Sequence, residues 1–320
     1  MQVIRSLDAL PAGLTRSVLA IGNFDGLHRG HKEIMQRVRE RAKALDAQSV
    51  AVTFDPHPMR MLRPDQAPRL ITPLPQRLDL LAQTGIDTTL VIPFTEDFSR
   101  LSAFDFADKV LRQSIHAIEV HEGDNFRFGH GAQAGTAQLQ QLGQQLGFAV
   151  IAHPGLTVRG IGVSSSEIRR RITAGDVSIA RCLLGRPFSI RSTRATGRGI
   201  GTRLTVPTIN LAQYDELVPA NGVYISRVTL GTGLSRETFD AVTNAGTRPT
   251  FGEDSYAIES HLLDFRPITL PGDTPIELWF LARIRAERRF DSPEELKAQI
   301  LRDLAVARRY FHLANALQSV

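Results

Sequence analysis

Ala20-Ile-Gly-Asn-Phe-Asp-Gly-Leu-His28-Arg-Gly-His31 is the stretch on which the fold of this chain turns. An apolar run over 18–21 stops at Gly22, and a Gly/Asn/Asp-rich turn follows. His28 and His31 then lead into a helical pattern kept by Ile34, Val38, Ala42 and Leu45. Strand, tight loop and helix N-terminus together make an anion cradle, because free backbone N–H groups and the positive end of the helix dipole point at one spot. Gly22, Asn23, Phe24, Asp25 and Gly26 form the loop, and its glycines let the backbone approach a phosphate closely. Two imidazoles three residues apart add side-chain donors at the same place. Alone, His28-x-x-His31 also reads as a surface pair or as half of a metal site. The glycine loop favours phosphate, since a metal usually wants a third His, Asp or Glu nearby and i, i+4 spacing on a helix.

Around this stretch the first half alternates. Strand-like runs fall at 18–21, 49–54, 89–94, 117–121 and 148–152, with helix-like segments after 31, at 76–83, at 102–115 and, more weakly, at 133–146. Such alternation predicts a Rossmann-like α/β domain, a parallel sheet with helices on both faces, whose ligand sits at the carboxyl ends of the strands. Gly185-Arg-Pro187 breaks the pattern. Beyond it, runs at 206–211, 223–230, 238–244, 257–265 and 276–284 are rich in β-branched and aromatic residues, with no helix pattern between them, which predicts a small antiparallel β-barrel or sandwich. A C-terminal helix closes the chain. Ser292-Pro-Glu-Glu295 is its capping box, and Leu296, Ile300, Leu304, Ala307 and Phe311 form its apolar stripe. The expected domains are 1–186 and 187–320.

Composition narrows the functional classes. The 320 residues suit two ordinary domains, and the single cysteine, Cys182, rules out an intrachain disulfide or a Cys-based zinc framework. Cys182 is expected to pack in a core, in a protein of the reducing cytosol. No apolar run approaches the roughly 20 residues that span a bilayer, and no signal-peptide core is present, so no membrane role is expected. The net charge is +5, and only four of the 38 basic residues are lysines. Scattered arginines and a single Trp give little to a base-stacking surface, so anionic small molecules rather than nucleic acid are the expected partners.

The longer pattern GNFDGxHxGH resembles the N-terminal domain of the bifunctional riboflavin kinase/FAD synthetases. Three later stretches match that family in order: Thr53-Phe-Asp-Pro-His-Pro58, Gly123-Asp-Asn-Phe-Arg-Phe-Gly129 and Val163-Ser-Ser-Ser-Glu-Ile-Arg169. The resemblance implies that His28 and His31 contact ATP phosphates and the transition state, with the 22–26 loop around them. It also places Asn125 near the adenine and makes Ser164, Ser165 and Arg169 a phosphate-binding motif. Glu167 departs from the family's basic or neutral residue. A carboxylate would repel phosphates, so it is expected to turn back into a capping box with Ser164. The loop 129–135 lacks a basic residue often found there.

The resemblance continues through Leu184-Gly-Arg-Pro187 and the second half. Gly197, Gly199 and Gly201 with Pro207-Thr-Ile-Asn210 are similar to the riboflavin kinase glycine loop and PTxN motif, which implies that Thr208 and Asn210 hold Mg2+ and ATP. Two hard oxygen ligands completed by phosphates suit that ion. Asn244 and Arg248 fall in a further matching stretch, 244–251, near the phosphates or the flavin. By itself Glu259 is an acid in an apolar strand, usually a surface position or an ion-pair partner. The family match makes it the base on the ribityl 5′-hydroxyl. Thr205-Val206 replaces the family's Gly-Phe, and Leu270-Pro-Gly272 its Tyr-Gly.

The expectation is therefore an ATP-dependent enzyme with Mg2+, making FMN from riboflavin and then FAD from FMN, in two separate active sites. A kinase with an impaired first domain, a transferase for another phosphate ester, and a basic nucleic-acid binder are the alternatives.

Overall fold

A computed structural model of the chain describes residues 1–195, 208–233, 236–247, 256–264 and 274–318. The chain divides into two compact units, Met1–Ser165 and Ser166–Val320.

The first unit is built on strands β1 (Gln2–Ile4), β2 (Ser17–Ile21), β3 (Gln48–Asp55), β4 (Thr88–Pro93), β5 (Ala117–Gly123) and β6 (Ala149–His153). All pair in parallel, in the order β1-β4-β3-β2-β5-β6. Every residue of β2 is buried. Alternate side chains serve opposite faces: Leu19 and Ile21 join Val50, Val52 and Leu90 under Phe106 and Leu139, whereas Val18 and Ala20 meet Met35, Val38 and Ala42. Those last three lie on α1 (Arg29–Ala44), so the spacing after His31 does place a helix on one sheet face.

Helix positions follow the sequence with shifted ends. The 76–83 segment is α2 (Leu74–Ala82), started by Pro73, and the Gln-rich segment is α3 (Thr136–Leu146), stopped by Gly147 in the left-handed conformation. The 102–115 segment is helical from Ala103 but π-wound over Phe106–Ser114. Strand β1 carries only three residues, too few to show a period.

The second unit opens within α4 (Ser165–Thr173), whose first residue belongs to the first unit, and continues with α5 (Val177–Leu184), β7 (Phe188–Ser192), β8 (Thr208–Asn210), β9 (Gly222–Leu230), β10 (Glu237–Thr247), β11 (Tyr256–Leu262) and β12 (Ile276–Ala286). These strands form one antiparallel sheet in the order β7-β12-β9-β10-β11-β8. Its two edges meet, because Arg194 and Leu211 form a bridge and Ala195 N–H reaches the Asn210 carbonyl at 2.9 Å. The result is the expected barrel rather than a sandwich. Inside it, Ser226, Thr243 and Ser260 hydroxyls are chained at 2.6 and 2.8 Å across β9, β10 and β11, satisfying three buried polar groups. Cys182 is only partly buried on α5.

The long helix α6 (Pro293–Gln318) lies on the outer sheet face, with Ala307 and Phe311 packed against Val223, Ile225 and Val242. Its cap is half of the expected box. Ser292 Oγ accepts Glu295 N–H at 3.2 Å, while the Glu295 carboxylate reaches Asp291 N–H at 3.4 Å. The apolar stripe also divides. Leu296 and Ile300 are 40% and 39% exposed, so the first turns line a cleft instead of the core.

Candidate active sites

In the first unit the strand order reverses at β2, which has β3 on one side and β5 on the other. Ligands of open α/β sheets bind at the carboxyl ends of strands beside such a reversal. Here those ends are Ile21, leading into the 22–28 loop, and Gly123, leading to Asn125. Asn125 is exposed at that rim, and its Oδ1 would lie 3.0 Å from a Cβ placed on Gly123, so a side chain there would crowd the amide.

The loop is folded tightly, with Phe24, Gly26 and Leu27 all at positive φ. Phe24 buries its ring in the core, and Asp25 works as a clamp. Its Oδ1 accepts Thr72 N–H at 2.9 Å and its Oδ2 accepts Ile71 N–H at 3.1 Å. The Asp25 carbonyl accepts the Ser165 hydroxyl at 2.8 Å, which ties the serine motif to the glycine loop across 140 residues of sequence. Asn23 Oδ1 is buried and has no hydrogen-bond partner among the described residues.

His28 caps α1, with Nδ1 accepting His31 N–H at 3.3 Å. A neutral His28 therefore carries its proton on Nε2, as a donor. The His31 ring stacks on that of His28 with centroids 3.5 Å apart and planes 17° from parallel, while the Phe24 edge holds its other side at 5.3 Å. Burial, and then the neighbouring imidazole, push the His31 pKa well below its usual value, so it is neutral near pH 7. The pair thus presents polar N–H groups beside the unfilled N–H groups of the first helical turn.

Several residues at this site escaped the sequence reading. Glu122 is buried at the end of β5 and accepts Ile21 N–H on its Oε1 at 2.6 Å. Arg77, fully buried on α2, donates from Nη1 to the Asn23 carbonyl at 2.5 Å and to Thr53 Oγ1 at 3.3 Å. Neither carries a local signal, since Arg77 stands between Gln76 and Leu78-Asp79, and Glu122 between His121 and Gly123.

Ser164 stands just before α4, and Arg169 one turn into it. Glu167 turns its carboxylate to Arg170 and Arg171, at 2.6 and 2.8 Å, and these guanidiniums pull its pKa down to about 2. The sequence reading gave it the cap alone. In the loop 129–135, Arg127 donates to the Ala132 and Gln133 carbonyls from outside.

In the second unit, strand register builds the site. Asn210 on β8 faces Glu259 on β11, which faces Asn244 on β10; one step along, Thr208 faces His261, which faces Val242. Directly opposed side chains stand about 5 Å apart on one sheet face. Thr208, Asn244, Glu259 and His261 line a cavity of about 760 Å3, closed on the far side by Leu296 and Ile300 of α6. Arg285 pins α6 there through Asp303 at 2.9 Å. One hydroxyl and one amide oxygen beside a carboxylate fit a hard cation that completes its shell with phosphates and water. Among the described residues no cluster of three His, Cys, Asp or Glu offers a cage for a softer metal. Gly197, Gly199, Gly201, Pro207 and Arg248 lie outside the described residues, as do the substitutions at 205–206 and 270–272.

An anion loop at a sheet reversal in one unit, and an acid between two amides over a cavity in the other, define a transferase that works on nucleotide phosphates. The family model for FAD synthetase matches residues 11–167, and that for riboflavin kinase residues 184–311. A bifunctional riboflavin kinase/FMN adenylyltransferase of Escherichia coli (strain K12) is 34% identical over 316 residues, covering 98% of this chain and 99% of that protein. Its counterpart in Pseudomonas fluorescens is 35% identical over 309 residues, covering 96% of this chain and 97% of that protein. A solved structure described as a macrolide-efflux protein from Streptococcus pneumoniae superposes with a TM-score of 0.84 at 26% identity, covering 96% of this chain and 99% of that one. This chain belongs to the family of bifunctional riboflavin kinase/FMN adenylyltransferases. No helix among the described residues is long and apolar enough to cross a membrane.

Proposed function

We infer that this chain makes FMN from riboflavin and ATP, and then FAD from FMN and a second ATP with release of pyrophosphate. Residues 1–186 carry the adenylyl transfer and residues 187–320 the kinase step. Riboflavin, FMN, FAD and ATP are its partners, in the cytoplasm, with no nucleic acid or membrane involved.

In the kinase cleft Glu259 accepts the proton of the ribityl 5′-hydroxyl as that oxygen bonds to the γ-phosphorus of ATP, and ADP leaves. Thr208 and Asn210 would hold Mg2+, which when bound neutralises phosphate charge. Asn244, with Arg248 and the loop of Gly197, Gly199, Gly201 and Pro207, holds nucleotide and flavin. The exposed turn of Leu296 and Ile300 offers the flavin ring an apolar wall. The observation that carries this reading is the row Asn210–Glu259–Asn244, set by register across three strands, with Glu259 and Asn244 lining one cavity.

In the first unit an FMN phosphate oxygen bonds to the α-phosphorus of ATP while the bond to the β-phosphate oxygen breaks. His28, His31 and the 22–26 loop stabilise charge gathering on the leaving pyrophosphate, with no covalent intermediate on the protein. Ser164, Ser165 and Arg169 hold phosphate, and Asn125 meets the adenine. Chromatography of the products from protein, riboflavin, ATP and Mg2+ tests the reading. FMN and FAD together support it, FMN alone leaves only a kinase, and neither product contradicts it.

A further inference from the structure

His261 sits two residues beyond Glu259 on β11 and therefore on the same face of the strand. The residues between and around them, Ile258, Ser260 and Leu262, are buried on the opposite face. His261 is flanked by Thr208 and Val242 and lines the cavity. Its Nε2 is buried and meets no hydrogen-bond partner among the described residues. A buried polar atom left unpaired costs more than a made hydrogen bond returns, so such atoms are rare in finished structures. A side chain serving only to pack this row would be apolar, as its neighbour Val242 is. A neutral imidazole carries one donor and one acceptor nitrogen. That character suits a neutral hydroxyl better than a phosphate, which calls for a cation.

We propose that His261 hydrogen-bonds an inner hydroxyl of the flavin's polyol chain and so sets the chain's terminal hydroxyl against Glu259. The proposal rests on the kinase reading of this cleft. Side chains two residues apart on a strand are about 6.6 Å apart. A polyol with hydroxyls on successive carbons spans that separation, giving one hydroxyl to the imidazole and its end to the carboxylate. His261 is then a substrate-positioning residue, and its loss is felt by riboflavin rather than by ATP.

The test is flavin binding by the full chain, followed by quenching of flavin fluorescence, with riboflavin and with lumiflavin, which carries a methyl group in place of the polyol. His261→Leu should weaken riboflavin binding about two- to twelvefold and leave lumiflavin binding unchanged. His261→Gln, which keeps a hydrogen-bonding group, should recover most of the loss. The KM for riboflavin should rise in parallel while the KM for ATP stays put. Equal weakening for both flavins, or none for either, overturns the proposal. If the unaltered chain binds no riboflavin, the kinase reading falls first and the proposal falls with it.

Discussion

Glu122 accepts the Ile21 N–H at 2.6 Å, joining β5 to β2 at the base of the crevice where the sheet order reverses. Burial pushes its pKa well above the ordinary carboxylate range. A carboxyl whose pKa is raised on folding stabilises relative to its unfolded state below the unfolded pKa, and that advantage is lost as pH rises through the folded value. Glu122→Gln should therefore flatten the decline in melting temperature with rising pH. Glu122→Val leaves the Ile21 N–H unpaired and should cost about 1–3 kcal/mol at every pH. Thermal unfolding from pH 5 to 9 reads both.

The histidines of the same unit titrate in the other direction. His121 Nδ1 lies 2.9 Å from His153 Nε2, its Nε2 lies 2.7 Å from Glu119, and Arg41 holds that carboxylate at 2.7 Å. Burial lowers the pKa of His121, His153 and His31. Unfolded histidines take up protons near 6.5 where these do not, so stability should drop as pH falls below that value. Denaturant unfolding at pH 7.5 and 5.5 should show the drop, and His153→Gln should reduce it.

Arg77 acts on the anion loop through the Asn23 carbonyl and Thr53. Arg77→Met removes the hydrogen bonds to the Asn23 carbonyl and Thr53, and should destabilise by about 1–3 kcal/mol. FAD formation should fall with it, while FMN formation holds. Differential scanning calorimetry and product assays on the same preparation measure the two effects.

On the cleft side of α6, Ile300→Asp should raise the KM for riboflavin about tenfold with little change for ATP. Ile300 is already partly exposed, so the melting temperature should move by less than for Phe311→Ala, which opens the core and costs about 3–5 kcal/mol.

The strand, glycine loop and helix from Val18 to Ala44 were legible because local chemistry decides them: an apolar run, glycines, then a 3.6-residue period. The parallel sheet and the barrel followed in the same way. What escaped depends on partners distant in sequence. Glu122 reads as an ordinary strand acid until Ile21 lies beside it. Arg77 reads as a surface helix residue, and His261 as a polar position, until the neighbouring strands fix their surroundings. The stripe of α6 gave the apolar face correctly but not which turns meet the core, since that depends on where the sheet ends. The clamp role of Asp25 was hidden too, because Ile71 and Thr72 have no local signal for it.

The central claim is that two independent chemistries occupy the two units. Chromatography of products from two lesioned proteins tests it most directly. His28→Ala with His31→Ala should reduce FAD formation by at least about a hundredfold and leave FMN formation intact. Glu259→Gln should reduce FMN formation by about 10²–10⁴-fold while FAD still forms from supplied FMN. Loss of both activities from either lesion, in a protein that keeps its melting temperature, would contradict the account.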